Sequence, residues 1–65
     1  MRITLLPQHK EIVLPGRHRV ADVLRQLNLI PGTVMVIRKD ALVTERDFLD
    51  PDDSVEIRSV ISGGL

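Results

Sequence analysis

A protein does chemistry with a nucleophile, a tuned acid or base, a metal-ligand set or a reactive chain end. This 65-residue sequence has no cysteine and two histidines. His9 and His18 flank an expected strand without a partner pattern, so they read as loop histidines rather than a metal pair. Asp50-Pro51-Asp52-Asp53 lacks the ligand spacing and the glycine of a calcium loop and reads as a turn. No glycine pair precedes the helical stretch, which excludes a phosphate-cradling loop there. The hydroxyls of Thr4, Thr33, Thr44, Ser54, Ser59 and Ser62 have no base paired with them in sequence. A chain this short does not easily close a cleft around a small molecule. No catalytic residue and no metal site are therefore assigned, and an enzyme is not expected. One feature is left, the ending Ser62-Gly63-Gly64-Leu65. Glycine loses more freedom on ordering than any other residue, so a pair of them packs nothing. Either the end frays, or it is thin because it must enter a narrow space.

The elements that would carry such an end are legible from periodicity. Met1-Arg2-Ile3-Thr4-Leu5 alternates apolar and polar, and Lys10 to Leu14 reads as a second strand after the Pro7-Gln8-His9 break, giving a hairpin. Val20, Val23, Leu24 and Leu27 stand at i, i+3, i+4 and i+7, which predicts a helix from Val20 to Leu27. Asn28 suits a left-handed C-terminal cap, and Pro31-Gly32 prevents continuation. No Ser, Thr, Asp or Asn precedes the helix to cap its other end. Thr33 to Ile37 is apolar nearly throughout and reads as an interior strand. Arg38 to Ala41 is a polar turn, Leu42-Val43 a short return strand, and Phe48 and Leu49 are expected to plug the core from a loop. Asp50 to Ser54 turns the chain into Val55-Glu56-Ile57-Arg58, which alternates again. The order strand, strand, helix, strand, short strand, strand predicts an α+β domain: one mixed sheet with a single helix packed across it.

Composition narrows the partners. Net charge is zero, yet residues 1–39 carry seven basic and two acidic groups and residues 40–65 two basic and seven acidic. The halves either neutralise each other on folding or present an acidic face to a basic protein. Without a net positive field, and with Phe48 the only aromatic, no nucleic acid partner is expected. No segment approaches a membrane span or a signal peptide, so no membrane partner is expected and a cytoplasmic location is.

The element order, the length and the ending Val60-Ile61-Ser62-Gly63-Gly64 together resemble the β-grasp sulfur carriers of the MoaD/ThiS family, relatives of ubiquitin. Val34-Met35-Val36-Ile37-Arg38-Lys39-Asp40-Ala41-Leu42-Val43 resembles the family's strand-turn-strand. Leu49-Asp50-Pro51-Asp52-Asp53-Ser54-Val55-Glu56-Ile57 resembles its acidic turn into the last strand. The resemblance implies a ubiquitin-like β-grasp domain over residues 1–61, with four to five strands and one helix, and a flexible tail over 62–65. It implies that the carboxylate of Gly64, next to Gly63, is adenylated by a ubiquitin-activating-like adenylyltransferase that uses ATP and magnesium; no cofactor stays bound to the carrier. A sulfur donor, a cysteine desulfurase or a rhodanese, then leaves a thiocarboxylate. The sulfur goes on to a synthase making a thiazole (for thiamine), molybdopterin, a thiolated tRNA or cysteine. Some relatives are instead joined through this carboxylate to lysines of other proteins. The sequence does not separate a carrier from such a modifier, and a plain interaction module is the third reading.

The glycines fit that chemistry. An acyl adenylate survives only in a closed, dry site, and a side chain would obstruct the passage leading to it. Residues 62–64 span about 10 Å. Pleat parity places Glu56, Arg58 and Val60 outward if Val55 and Ile57 point inward, with Thr4 and Leu6 on the same outer face. Leu6, Arg58, Val60 and Ser62 are thus the expected partner-docking surface. Leu6 and Val60 either form an exposed apolar patch rimmed by charge or sit half-buried under a loop. Leu65 departs from the family pattern, because with it attached Gly64 is an amide. The preferred reading is the first residue of an expression tag; the other is a residue that a protease removes.

Overall fold

The computed structural model describes residues 1–60 of the chain. The first strand, β1 (Arg2–Leu6), turns through Pro7–His9 into β2 (Lys10–Val13). A two-residue strand, β3 (His18–Arg19), leads straight into helix α1 (Val20–Gln26). A 3-10 turn (Pro31–Thr33) precedes β4 (Val34–Arg38), and then come β5 (Ala41–Val43), a two-residue β6 (Phe48–Leu49) and β7 (Ser54–Ser59). Five strands form one sheet in the order β2-β1-β7-β4-β5, and β3 pairs with β6 in a separate ribbon. The neighbours β1 and β7 run parallel; the other pairs are antiparallel. This is the mixed five-stranded sheet with one helix of a small β-grasp domain.

Periodicity sets which side chains meet. Ile3, Val36, Val55 and Ile57 from the sheet join Val20, Val23 and Leu24 from the helix in the core, together with Met1 and Leu49. Leu5, Ile12, Leu14, Leu27, Leu29, Val34 and Val43 pack around them. The inward placement of Val55 and Ile57 follows from alternation, as expected. Leu49 is fully buried, also as expected. Phe48 is not a core plug. It stands 40% exposed, and the guanidinium carbons of Arg17 and Arg19 lie 4.4 and 4.7 Å from its ring centroid. Arg19 and Phe48 face each other across the β3–β6 ribbon. The ring is thus covered by cations on the surface rather than by the core.

The helix has only seven residues and no side-chain cap at its start. Its exposed donors are met from elsewhere. The Val20 and Ala21 N–H groups donate to the carbonyls of Asp47 (2.9 Å) and Glu45 (3.1 Å). The 44–47 turn that offers these carbonyls is itself held by Asp47, whose Oδ2 accepts from the Thr44 N–H at 2.7 Å. A distant turn therefore does the work of a cap. At the other end Asn28 is left-handed with φ 60°. Its N–H donates to Arg25, and the Leu29 N–H reaches back to Leu24 at 2.8 Å. That is a Schellman motif with Asn in the usual glycine position. The β4–β5 hairpin has two central residues, Lys39 and Asp40, at φ 53° and 64°. Both lie in the region that two-residue hairpin turns require and that glycine occupies most cheaply.

The charge asymmetry is partly resolved by folding. Arg17 pairs with Asp50 and Arg38 with Asp53, both at 3.2 Å and both across the two halves of the chain. Arg25–Asp22 and Arg58–Glu56 pair within a half. Asp53 is the best supported of the acids. Its Oδ2 accepts from the Asp50 N–H at 2.8 Å and from Arg38 Nη1 at 3.2 Å. These bonds, the Asp50 backbone first and then Arg38, hold its carboxyl below the ordinary value against the opposing effect of burial.

A carboxyl held low stabilises the fold above its unfolded-state pKa, and that stability is lost as pH falls through the folded value. Asp53→Asn should therefore unfold more easily at neutral pH, by about 1 kcal/mol. Its difference from the parent should shrink below the unfolded value of 3.8, as read by urea titrations across pH. Asp40→Gly should do the opposite: it removes the left-handed strain and should raise stability by about 0.5–1 kcal/mol with an unchanged urea m-value.

Candidate functional site

The last strand lies in the middle of the sheet. Its inward residues Val55 and Ile57 are 3% and 2% exposed, so Glu56 and Arg58 necessarily point to the face the helix does not cover. On that face Arg58 sits between Leu6 of β1 and Met35 of β4. Glu56 sits between Thr4 and Ile37, and Ile37 faces Leu42 of β5. Val60 follows at the strand's end, held by its N–H to the Thr33 carbonyl at 3.0 Å. Arg58 Nη2 and Glu56 Oε1 pair along the strand at 3.5 Å.

The result is an apolar surface with one cation at its centre. Val60 is 48% exposed, Leu42 67% and Met35 38%; Leu6 and Ile37 are half-buried at its margins. Of the expected docking residues, Leu6, Arg58 and Val60 come together here. Val60 is open to solvent rather than covered by a loop. Ser62, Gly63 and Gly64 lie outside the described residues. Met35, Ile37 and Leu42 were missed by sequence reasoning. The signal was present: an interior strand apolar on both faces fits a strand buried twice, and it fits equally a strand with one face in the core and one facing outward. At the foot of β7 an open depression of about 430 Å³ is lined by Leu6, Pro7, His9, Arg58 and Ser59.

The residues considered for chemistry of their own are dispersed. His18 Nε2 lies 2.8 Å from the Pro15 carbonyl, which closes the Gly16 turn. His9 belongs to the Pro7–His9 turn and is exposed. No group of three or more His, Asp or Glu among the described residues could hold a metal ion. Among them no polar or charged residue is fully buried. No described helix is long and apolar enough to cross a membrane. What this geometry offers is an exposed apolar face around Arg58 at the end of β7.

No protein-family model matches the chain. A relative is found in Thermus thermophilus, a protein named sulfur carrier protein TtuB. It is 40% identical over 65 residues, covering 98% of this chain and 100% of its own. Identity at that level over both whole chains carries the carrier role with it. A carrier presents a group to activating and sulfur-transfer enzymes and leaves the catalysis to them. With a β-grasp fold and a relative of that kind along its whole length, the chain belongs to the MoaD/ThiS-type sulfur carriers.

Proposed function

We propose that this carrier works through the carboxylate of Gly64, in the cytoplasm, where ATP is at hand. A carboxylate oxygen attacks the α-phosphorus of ATP in the site of a ubiquitin-activating-like adenylyltransferase. Pyrophosphate leaves, with magnesium in that enzyme balancing the phosphate charge. The acyl adenylate then meets a persulfide sulfur from a cysteine desulfurase or a rhodanese. The carbon–sulfur bond forms, AMP departs, and thiol cleavage of the sulfur–sulfur bond leaves the thiocarboxylate. An accepting synthase takes the sulfur for a thiazole, molybdopterin, a tRNA base or cysteine. The chain competent for this ends at Gly64; with Leu65 attached a protease must first act.

The observation that carries this reading is the place of β7. A strand flanked on both sides cannot shift, so it fixes Val60, the last described residue, beside the exposed face of Leu6, Met35 and Arg58. A partner that grips that face has Val60 at a fixed distance from its own site. Apolar area gives the grip its energy, and the central Arg58 gives it a direction through a partner carboxylate.

In a chain ending at Gly64, Gly64→Ala should cut ATP–pyrophosphate exchange by its activating enzyme while melting as the parent does. Unimpaired exchange would refute the tail model. Val60→Asp and Arg58→Glu should weaken binding of the same enzyme about tenfold or more. Val13→Asp should not, because Val13 is exposed on the edge strand at the opposite end of the sheet, across from Arg2. A thiocarboxylate found by mass spectrometry in cells, without isopeptide adducts, supports the carrier over the modifier; adducts on other proteins' lysines reverse that preference.

A further inference from the structure

The exposed apolar face around Arg58 is pure hydrocarbon except at one position. Leu6, Ile37, Leu42 and Val60 carry no reactive atom, whereas Met35 carries a thioether. A thioether is an apolar group that a mild oxidant turns polar. The chain has two methionines and no cysteine, tryptophan or tyrosine. Its soft, oxidisable atoms are therefore the sulfurs of Met1 and Met35.

Folding treats the two differently. Met1 is 4% exposed and belongs to the core with Ile3 and Val55. Met35 is 38% exposed. Its neighbours along β4, Val34 and Val36, pack into the core, so alternation turns Met35 to the side that the helix does not cover. β5 runs beside β4 only from Val36 to Arg38, so that ladder stops short of Met35. An open depression of about 280 Å³ lies there, lined in part by Pro31, Met35 and Leu42. A small oxidant reaches Met35 from solvent with the fold intact, while Met1 is shielded until the chain unfolds.

The place of Met35 gives its oxidation a consequence. It faces Arg58 directly across the β4–β7 pair, and Arg58 faces Leu6 on the other side. Directly opposed residues in a sheet keep their Cβ atoms about 4.5–5.5 Å apart. A sulfoxide oxygen at Met35 would stand as an acceptor beside a guanidinium with five N–H donors. Arg58 would then have a partner on β4 as well as Glu56, 3.5 Å away on its own strand.

We propose that Met35 is a site of modification by peroxides, and that its oxidation releases the carrier from its activating enzyme. This rests on the reading of the face around Arg58 as the docking surface. With hydrogen peroxide, a sulfur lone pair attacks one peroxide oxygen. A sulfur–oxygen bond forms and the oxygen–oxygen bond breaks. The departing hydroxide takes the proton left on the new oxygen and leaves as water. Sulfur is oxidised by two electrons and the peroxide is reduced by two. The sulfoxide must shed its water to dock, and Arg58 is drawn away from a partner carboxylate. The chain has no thiol of its own to reverse the step. Return needs an outside thiol-dependent methionine sulfoxide reductase. Charging is thereby suspended under the oxidising conditions that also consume a persulfide donor.

The test has two readouts. The chain ending at Gly64 is treated with hydrogen peroxide and mapped by peptide mass spectrometry. One oxygen should add at Met35 at least about tenfold faster than at Met1, and in urea the two should react alike. Equal rates in the folded chain overturn the proposal. After removal of peroxide, binding of the activating enzyme should be about tenfold weaker and should return on treatment with methionine sulfoxide reductase. Met35→Leu, compared with itself before and after peroxide, should show no change. Arg58→Glu separates the two readings. An oxidised carrier that binds as the untreated one does, while Arg58→Glu binds poorly, overturns the proposal and leaves the docking face standing. Full binding by both overturns the docking face, and the proposal with it.

Discussion

The structure depends on the pairing of the last strand with the first. β7 lies between β1 and β4, parallel to one and antiparallel to the other. Without it the β1–β2 and β4–β5 hairpins share no hydrogen bonds in the five-stranded sheet. Val55 and Ile57, buried between sheet and helix, tie that joint to the core. A parallel neighbour far away in sequence must be closed at a loop-entropy cost. In return Val60, the last described residue, follows a strand at the centre of the sheet instead of a loose edge.

The same arrangement divides the sheet into two unlike faces. One helix of seven residues covers one side, and among the described residues no helix covers the other. The uncovered side keeps Met35, Ile37, Leu42, Leu6 and Val60 where a self-sufficient small domain would place polar residues. Core burial does not account for them: their strand neighbours Val34, Val36 and Val43 already fill the core positions. Apolar side chains gathered on an exposed face around one arginine are what an interface needs and a lone fold does not.

Much of the fold was legible because alternation and the helical stripe report directly on burial. Ile3, Val55, Ile57, Val20, Val23 and Leu24 could be placed from spacing alone, and Asn28 announced the helix end. The β3–β6 ribbon could not be seen, since two residues carry no period. The start of the helix was hidden for a related reason: its cap is made of carbonyls from Glu45 and Asp47, and carbonyls leave no mark on sequence. Phe48 was misplaced because an aromatic beside a buried leucine reads as core. What holds it outside is a pair of arginines from the first half of the chain, brought together by a ribbon that spacing does not reveal. Half of the exposed apolar face was readable by parity from β7. The other half required knowing that β4 has an open side.

That open side also answers a question of specificity. Any carrier ending in two glycines offers the same carboxylate, so the tail by itself identifies no partner. On the proposed reading discrimination then falls to side chains of the domain itself, and a surface discriminates best when it pairs a buried apolar contact with a charge that must be matched. Arg58, flanked by Leu6 and Met35 and already near Glu56, meets that description. A partner lacking a carboxylate at this point would have to desolvate the guanidinium with only Glu56, 3.5 Å away, to pair it. On the proposed reading the glycines make the chemistry possible for any activating enzyme, and the residues around Arg58 decide which enzyme performs it.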